Sequence, residues 1–276
     1  MSAADTGLAP MQGKAIRLDW SERGIAVATM IRPEAMNTLS LELIEELGEI
    51  VALARQQRAR ALIITGSGRA FCCGAHLKYF TESNPPIGTT QEDIRDKYLW
   101  RIATLFDSFE ELPFPTIAAI NGFALGGGFE MALSCDFRIM SRSARVGLPE
   151  VLLGATPGAG GVQKLHRFVG RAKSLEWILL GKHLTAAEIE PYGLLYAAVE
   201  PDALLEAAIE LARALKRVSP NAVAQAKTSI YIADDVDSRS ARRAGLEALT
   251  NLIGGRDWKE GMAAFAEKRQ PRFDTF

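Results

Sequence analysis

Three consecutive glycines, Gly126-Gly127-Gly128, separate two apolar stretches that favour opposite backbone conformations. Upstream, Thr116-Ile-Ala-Ala-Ile120 is a short apolar run of the kind a buried strand uses. Downstream, Glu130-Met-Ala-Leu133 is made of strong helix formers. A strand must therefore turn into a helix through backbone that carries no Cβ. The start of that helix presents free N–H groups and a positive dipole end to whatever lies before it. A phosphate would suit such a turn, but neither the P-loop pattern nor G-x-G-x-x-G occurs in the chain. A developing oxyanion would suit it equally well.

Glu130, three residues past Gly127, is the only charge between Ala124 and Leu133. It reads either as a first-turn acid favoured by the helix dipole or as a working proton-transfer group. Burying a carboxylate to no purpose is costly unless it is paired or protonated, which favours the second reading. Glu150 is a second lone carboxylate, between Gly147-Leu-Pro149 and Val151-Leu-Leu153. It reads either as the partner of Arg142 or Arg145, or as the second member of an acid/base pair whose environments set one to accept and one to donate.

The remainder of the chain limits the setting. At 276 residues, one large domain or a domain with an appendage is expected. A net charge of −1 argues against nucleic acid or an anionic membrane as main partner. The three cysteines, two adjacent as Cys72-Cys73, form neither a disulfide framework nor a metal ligand set, so no metal is expected. The N-terminus lacks the basic and apolar regions of a targeting peptide, and no apolar run approaches a membrane span. A cytoplasmic, reducing location is expected.

Residues 1–13 read as a flexible arm, and 15–20 with 25–31 as a hairpin. Ser40 is an expected N-cap for a helix carrying Leu43, Ile44, Leu47 and Ile50, and Ala61–Thr65 an expected buried strand. Residues 82–92, with Pro85, Pro86 and Gly88, read as a loop long enough to be a lid, before a helix from Asp93 to Glu111. Strands alternate with helices as far as residue 145, which favours an α/β fold. Beyond residue 160 helices dominate, with a capping box at Thr185-Ala-Ala-Glu188.

With these pieces in order, the chain resembles the enoyl-CoA hydratase/isomerase (crotonase) superfamily, and within it the enoyl-CoA hydratases. The resemblance runs from about residue 15 to 274. It rests on Arg32-Pro-Glu-Ala-Met-Asn-Thr-Leu39, Thr65-Gly-Ser-Gly-Arg-Ala-Phe-Cys-Cys-Gly-Ala75, Pro115–Gly122, Gly126–Asp136, Pro149–Gly161, Gly193-Leu194 and Glu260–Lys268. It implies an α/β fold in which ββα units wind as a spiral core over 14–200. A helical C-terminal region, 201–276, would build homotrimers or hexamers. The ligand implied is an acyl-CoA thioester, with coenzyme A as part of the substrate and no separate cofactor. By position, the N–H groups of Ala75 and Gly127 would form an oxyanion hole, and Glu130 and Glu150 would be the catalytic pair. Ala75, His76, Leu77 and Lys78 would line the pantetheine and acyl tunnel. Phe265 and Lys268 match positions that reach the CoA nucleotide, often that of a neighbouring subunit. His76 departs from the pattern, since hydratases usually carry Asp there. The activity implied is hydration of a trans-2-enoyl-CoA to a 3-hydroxyacyl-CoA. Isomerisation, C–C cleavage, thioester hydrolysis and non-catalytic acyl-CoA or RNA binding are the alternatives.

Overall fold

The computed structural model describes residues 7–273. Its strands fall into two sheets that the chain visits in alternation. The larger begins with Met11–Gln12 (β1), Ile16–Glu22 (β2) and Ile25–Met30 (β3), which pair antiparallel in sequence. Helix α1, Leu41–Gln56, follows, with the Ser40 side chain accepting from the Leu43 N–H as the N-cap rule requires.

Three ββα turns of a spiral come next. Ala61–Gly66 (β4) joins the large sheet and Ala70–Cys72 (β5) the small one. Helices α2 (Gln91–Ile94) and α3 (Trp100–Glu110) complete this unit, joined by a π-helical turn at Arg95–Leu99. Thr116–Ile120 (β6), Phe123–Leu125 (β7) and Gly127–Ser134 (α4) form the second unit. Phe137–Ser141 (β8), Arg145–Gly147 (β9) and Gly161–Leu179 (α5) form the third. A short helix, Ala186–Ile189 (α6), precedes Ala197–Val199 (β10), which closes the large sheet. The order β1-β2-β3-β4-β6-β8-β10 is parallel from β3 onward, and β5-β7-β9 is parallel throughout.

Both faces of the large sheet are covered, so its strands read as continuous apolar runs rather than alternating ones. Ala26, Ala28, Leu62, Ile64, Ala118, Ile120 and Met140 enter the main core. Val27, Ile63, Ile117, Ala119 and Ile139 form a second core with Leu204, Ala208 and Leu211 of Leu204–Lys216 (α7). At about 25 cal/mol per Å² of apolar surface removed from water, these two cores supply the main drive to fold.

Helices Pro220–Asp235 (α8), Ser238–Leu252 (α9) and Arg256–Ala266 (α10) end the described chain. A buried polar knot fastens α8. The Lys227 Nζ donates to Asp136 Oδ2 at 2.8 Å and to the Phe109 and Phe114 carbonyls, and the Tyr231 hydroxyl donates to Asp136 Oδ1. Among the described residues, α9 buries no side chain, and Leu246, Leu249, Ile253, Met262 and Phe265 stand exposed. Among the described residues, no helix is long and apolar enough to cross a membrane.

One local expectation is corrected. The 1–13 arm is not loose throughout: β1 adds to the sheet, and the Ala9 carbonyl accepts from the Trp20 indole. Residues 1–6 lie outside the described part. The 82–92 segment is loop as far as Thr90, with Pro85 and Ile87 buried, and α2 begins at Gln91. The small sheet, of three-residue strands, carries no alternation long enough to read from sequence.

Candidate active site

The C-terminal ends of β5, β7 and β9, neighbours in the small sheet, converge on the glycine turn. Ala75 lies just past β5, Gly127 just past β7 and Glu150 just past β9. One candidate group from each unit is thus delivered to one place.

Gly126 has φ 54° and ψ −129°, a conformation essentially reserved for glycine. Its N–H donates to the Gly147 carbonyl, which ties the turn to β9. Gly74, at φ 77°, lies so close that a Cβ there would sit 2.9 Å from the Gly127 nitrogen. The Ala75 and Gly127 N–H groups are therefore near neighbours, and neither donates to an acceptor among the described residues. For Gly127 this follows from its place at the start of α4.

Glu130 is 3% exposed. Its Oε1 accepts from the Ala159 and Gly161 N–H groups, each at 2.8 Å. A Cβ on Gly127 would lie 3.8 Å from the Glu130 Oε2, so that oxygen faces the turn. Burial pushes the carboxyl pKa up, against the two N–H donors and the charge of Lys164, which pull it down. Lys164 is itself buried, with Nζ bonded to Ser134 Oγ at 2.8 Å and Glu110 at 2.7 Å. The Ser134 hydroxyl in turn donates to the Glu130 carbonyl.

Glu150 opens a 3₁₀ turn, Glu150–Leu153, that ends at Gly154 in the left-handed conformation. A Cβ on Gly126 would lie 3.0 Å from the Glu150 Oε1, so the two carboxylates flank the same turn. The Glu150 Oε2 is buried with no hydrogen-bond partner among the described residues. Burial pushes this carboxyl to about 7, and the neighbouring Glu130 charge adds to the rise. The Arg pairing allowed by the sequence is not made. Arg142 pairs with Glu200, and Arg145 donates to the Ser143 and Ala144 carbonyls.

His76 follows Ala75, with Nδ1 2.8 Å from the Thr38 hydroxyl and its ring edge-on to Tyr79. Burial, followed by the Lys78 charge, lowers its pKa and so favours the neutral ring. Leu77 and Lys78 are exposed on the short Leu77–Phe80 turn. Phe265, 83% exposed, and Lys268 lie at the end of α10, and no bond within the described residues joins either to the glycine turn. Burial pushes the Cys72 thiol to about 12, which makes it inert packing.

Sequence reasoning missed the Ala159/Gly161 clamp on Glu130, although Gly158-Ala-Gly-Gly161 marked backbone able to approach closely. It also missed Tyr98, which looks like one more apolar residue on a helix. A cavity of about 530 Å³ lies apart from this turn, walled by Leu133, Phe137, Phe168, Ile230 and the Lys227–Asp136 knot. It contains none of the candidate groups.

The geometry joins unsatisfied backbone donors to two desolvated carboxylates, and comparison with known proteins points the same way. A family profile described as enoyl-CoA hydratase/isomerase matches residues 21–275. The chain is 37% identical to the short-chain-enoyl-CoA hydratase of Clostridium acetobutylicum, over 90% of this chain and 94% of that protein. It is 35% identical to the 2,3-dehydroadipyl-CoA hydratase of Escherichia coli, over 91% and 96% of the two. A crystal structure of an enoyl-CoA hydratase from Bacillus anthracis superposes with a TM-score of 0.89 at 38% identity, covering 95% of this chain and all of that one. The chain is an enzyme of the enoyl-CoA hydratase/isomerase family, with the crotonase-type fold and its helical C-terminal region.

Proposed function

We propose that the enzyme adds water across the 2,3 double bond of a trans-2-enoyl-CoA to give a 3-hydroxyacyl-CoA. The observation that carries this reading is the pair of desolvated carboxylates, Glu130 and Glu150, flanking a turn that presents the free Gly127 N–H beside that of Ala75. An isomerisation needs one group to carry a proton between carbons, whereas hydration needs a water activated and a proton delivered.

In this mechanism the thioester carbonyl oxygen accepts from the Ala75 and Gly127 N–H groups. Each such donor is worth about 10²–10³ in rate, because charge gathers on that oxygen as the nucleophile attacks Cβ. The clamp on Glu130 Oε1 leaves Oε2 to hold the water and take its proton as the C–O bond forms. The electron pair of the double bond passes into the thioester as an enolate. Glu150, protonated up to about pH 7, orients the water and gives its proton to Cα as the enolate collapses. Passage of the proton from Glu130 to Glu150 restores the starting state, so the substrate gains one water and CoA stays attached.

CoA enters as part of the substrate, with Leu77 and Lys78 at the tunnel wall. The apolar side chains left uncovered on α9 and α10 support a homotrimer or a dimer of trimers. In such an assembly Phe265 and Lys268 would meet a neighbour's CoA nucleotide. Loss of the conjugated enoyl-thioester absorbance on mixing with crotonyl-CoA, then with longer and aromatic 2-enoyl-CoAs, tests the reaction. Mass spectrometry should show a product heavier by one water. A free thiol, or an isomer of unchanged mass, would overturn the hydratase reading.

A further inference from the structure

The Tyr98 hydroxyl occupies a junction that the reaction scheme above does not use. Tyr98 is fully buried on the π-helical turn Arg95–Leu99. Such turns insert one extra residue into a helix and so redirect a side chain. Its hydroxyl accepts from the His76 N–H at 2.8 Å and donates to the Leu39 carbonyl at 2.6 Å. The Leu39 N–H donates to the Gly74 carbonyl at 2.8 Å. The hydroxyl and Leu39 thus grip the loop on both sides of Ala75. The Leu39 side chain also packs against Gly127, since a Cβ there would lie 2.7 Å from its Cδ1. Tyr79 and Phe80 pack edge-on around the Tyr98 ring and hold it in place.

We propose that Tyr98 is a positioning residue for the oxyanion-binding pair, acting through the His76 N–H and Leu39 to aim the Ala75 N–H at the thioester oxygen. The inference rests on the assignment of Ala75 and Gly127 as those donors. It does not depend on which acyl-CoA reaction follows. A donor is effective only when fixed before the charge appears, so a slackened loop costs rate more than binding.

The test is Tyr98→Phe, which keeps the ring and removes one oxygen. Turnover should fall about tenfold or more, with KM and the Kd of a saturated acyl-CoA within about twofold of the parent. The second readout is a bound 3-ketoacyl-CoA, whose enolate absorbs in the near ultraviolet. The parent should raise that band, and Tyr98→Phe should weaken it in proportion to the lost turnover. Unchanged turnover and an unchanged enolate band overturn the inference. So does a rise in KM alone, which would mark Tyr98 as part of the binding wall. If Tyr98→Phe does not fold, the same bond is cut from its other end by His76→Pro, since His76 has φ −77° and proline accepts that angle. His76→Pro should then lose turnover and enolate signal relative to His76→Ala, and equality of the two overturns the inference. Should the parent hydrate no enoyl thioester, the hydratase reading falls, but the enolate band still decides the role of Tyr98.

Discussion

Replacing Gly161 by alanine probes Glu130 without altering any ionisable group. Gly161 is the first residue of α5 and is absent from the positive-φ glycines, so the backbone there accepts a side chain. The added methyl would meet Glu130 at 2.8 Å from Cγ and 2.9 Å from Oε1, against an ordinary contact of about 3.4–4 Å. Glu130 must therefore give by roughly 0.5–1 Å, and its clamp includes the very N–H of residue 161. Two stability effects oppose each other. Overpacking costs about 1–3 kcal/mol, while Gly→Ala at an unstrained position returns about 0.4–1 kcal/mol. The net loss, between about 0 and 2.6 kcal/mol, corresponds to a Tm lower by at most roughly 10 °C. A misplacement of about 1 Å, by contrast, costs on the order of 10²-fold in rate. Gly161→Ala should therefore remain folded at 25 °C with kcat reduced about 10²-fold. Steady-state hydration of the best enoyl-CoA beside a calorimetric melt would show both. A kcat within twofold of the parent would refute the assignment of Glu130 as a precisely held proton-transfer group.

Other outcomes follow from the same geometry. Glu130→Gln and Glu150→Gln should each lower turnover by orders of magnitude with near-native circular dichroism, and full activity in either would remove that residue from the mechanism. If Glu150 gives its proton to Cα as proposed, the pH–rate profile should decline on its alkaline side with a midpoint near 7. The same raised pKa makes Glu150 favour the folded state less as pH rises from the ordinary carboxylate range to about 7, since the folded form then holds the extra proton. In urea melts, Glu150→Gln should gain stability relative to the parent between pH 5 and pH 8, and a constant difference would contradict the shift. Lys227→Met should destabilise by about 3–5 kcal/mol, because it leaves the largely desolvated Asp136 with only Thr116 and Tyr231 as side-chain partners among the described residues, and a urea midpoint within error of the parent would refute that. Under native conditions Cys72 and Cys135, both buried, should resist iodoacetamide until the protein unfolds, as peptide mapping would show.

How much was legible in the sequence depended on whether a constraint was local. The Ser40 cap, the Thr185–Glu188 capping box and the β4 and β6 runs each carry their cause within a few residues, and the structure agrees with them. Gly126 likewise betrays a conformation that few other residues tolerate. The small sheet did not read, because three-residue strands are defined by their neighbours rather than by a period. Glu130 and Glu150 stood out as lone charges among apolar residues. What separates them is not local: Glu130 is gripped by N–H groups about thirty positions away, whereas Glu150 has one oxygen with no partner among the described residues. Tyr98 was invisible for the same reason, since its partners Leu39 and His76 lie in other elements. Resemblance supplied the roles that local chemistry could not.

The delivery of one group from each strand end of the small sheet divides the labour between a side chain that substitution replaces directly and main-chain groups that substitution reaches only through what supports them. Ala75 and Gly127 contribute main-chain N–H groups, which every residue but proline retains. Glu150 contributes a side chain, which a single substitution replaces. On the proposed mechanism, a lineage could therefore exchange its proton-handling chemistry at the end of β9 while the donor pair behind β5 and β7 persisted. In this chain the durable element of the site is written in backbone geometry, and the interchangeable element in the carboxylate beside it.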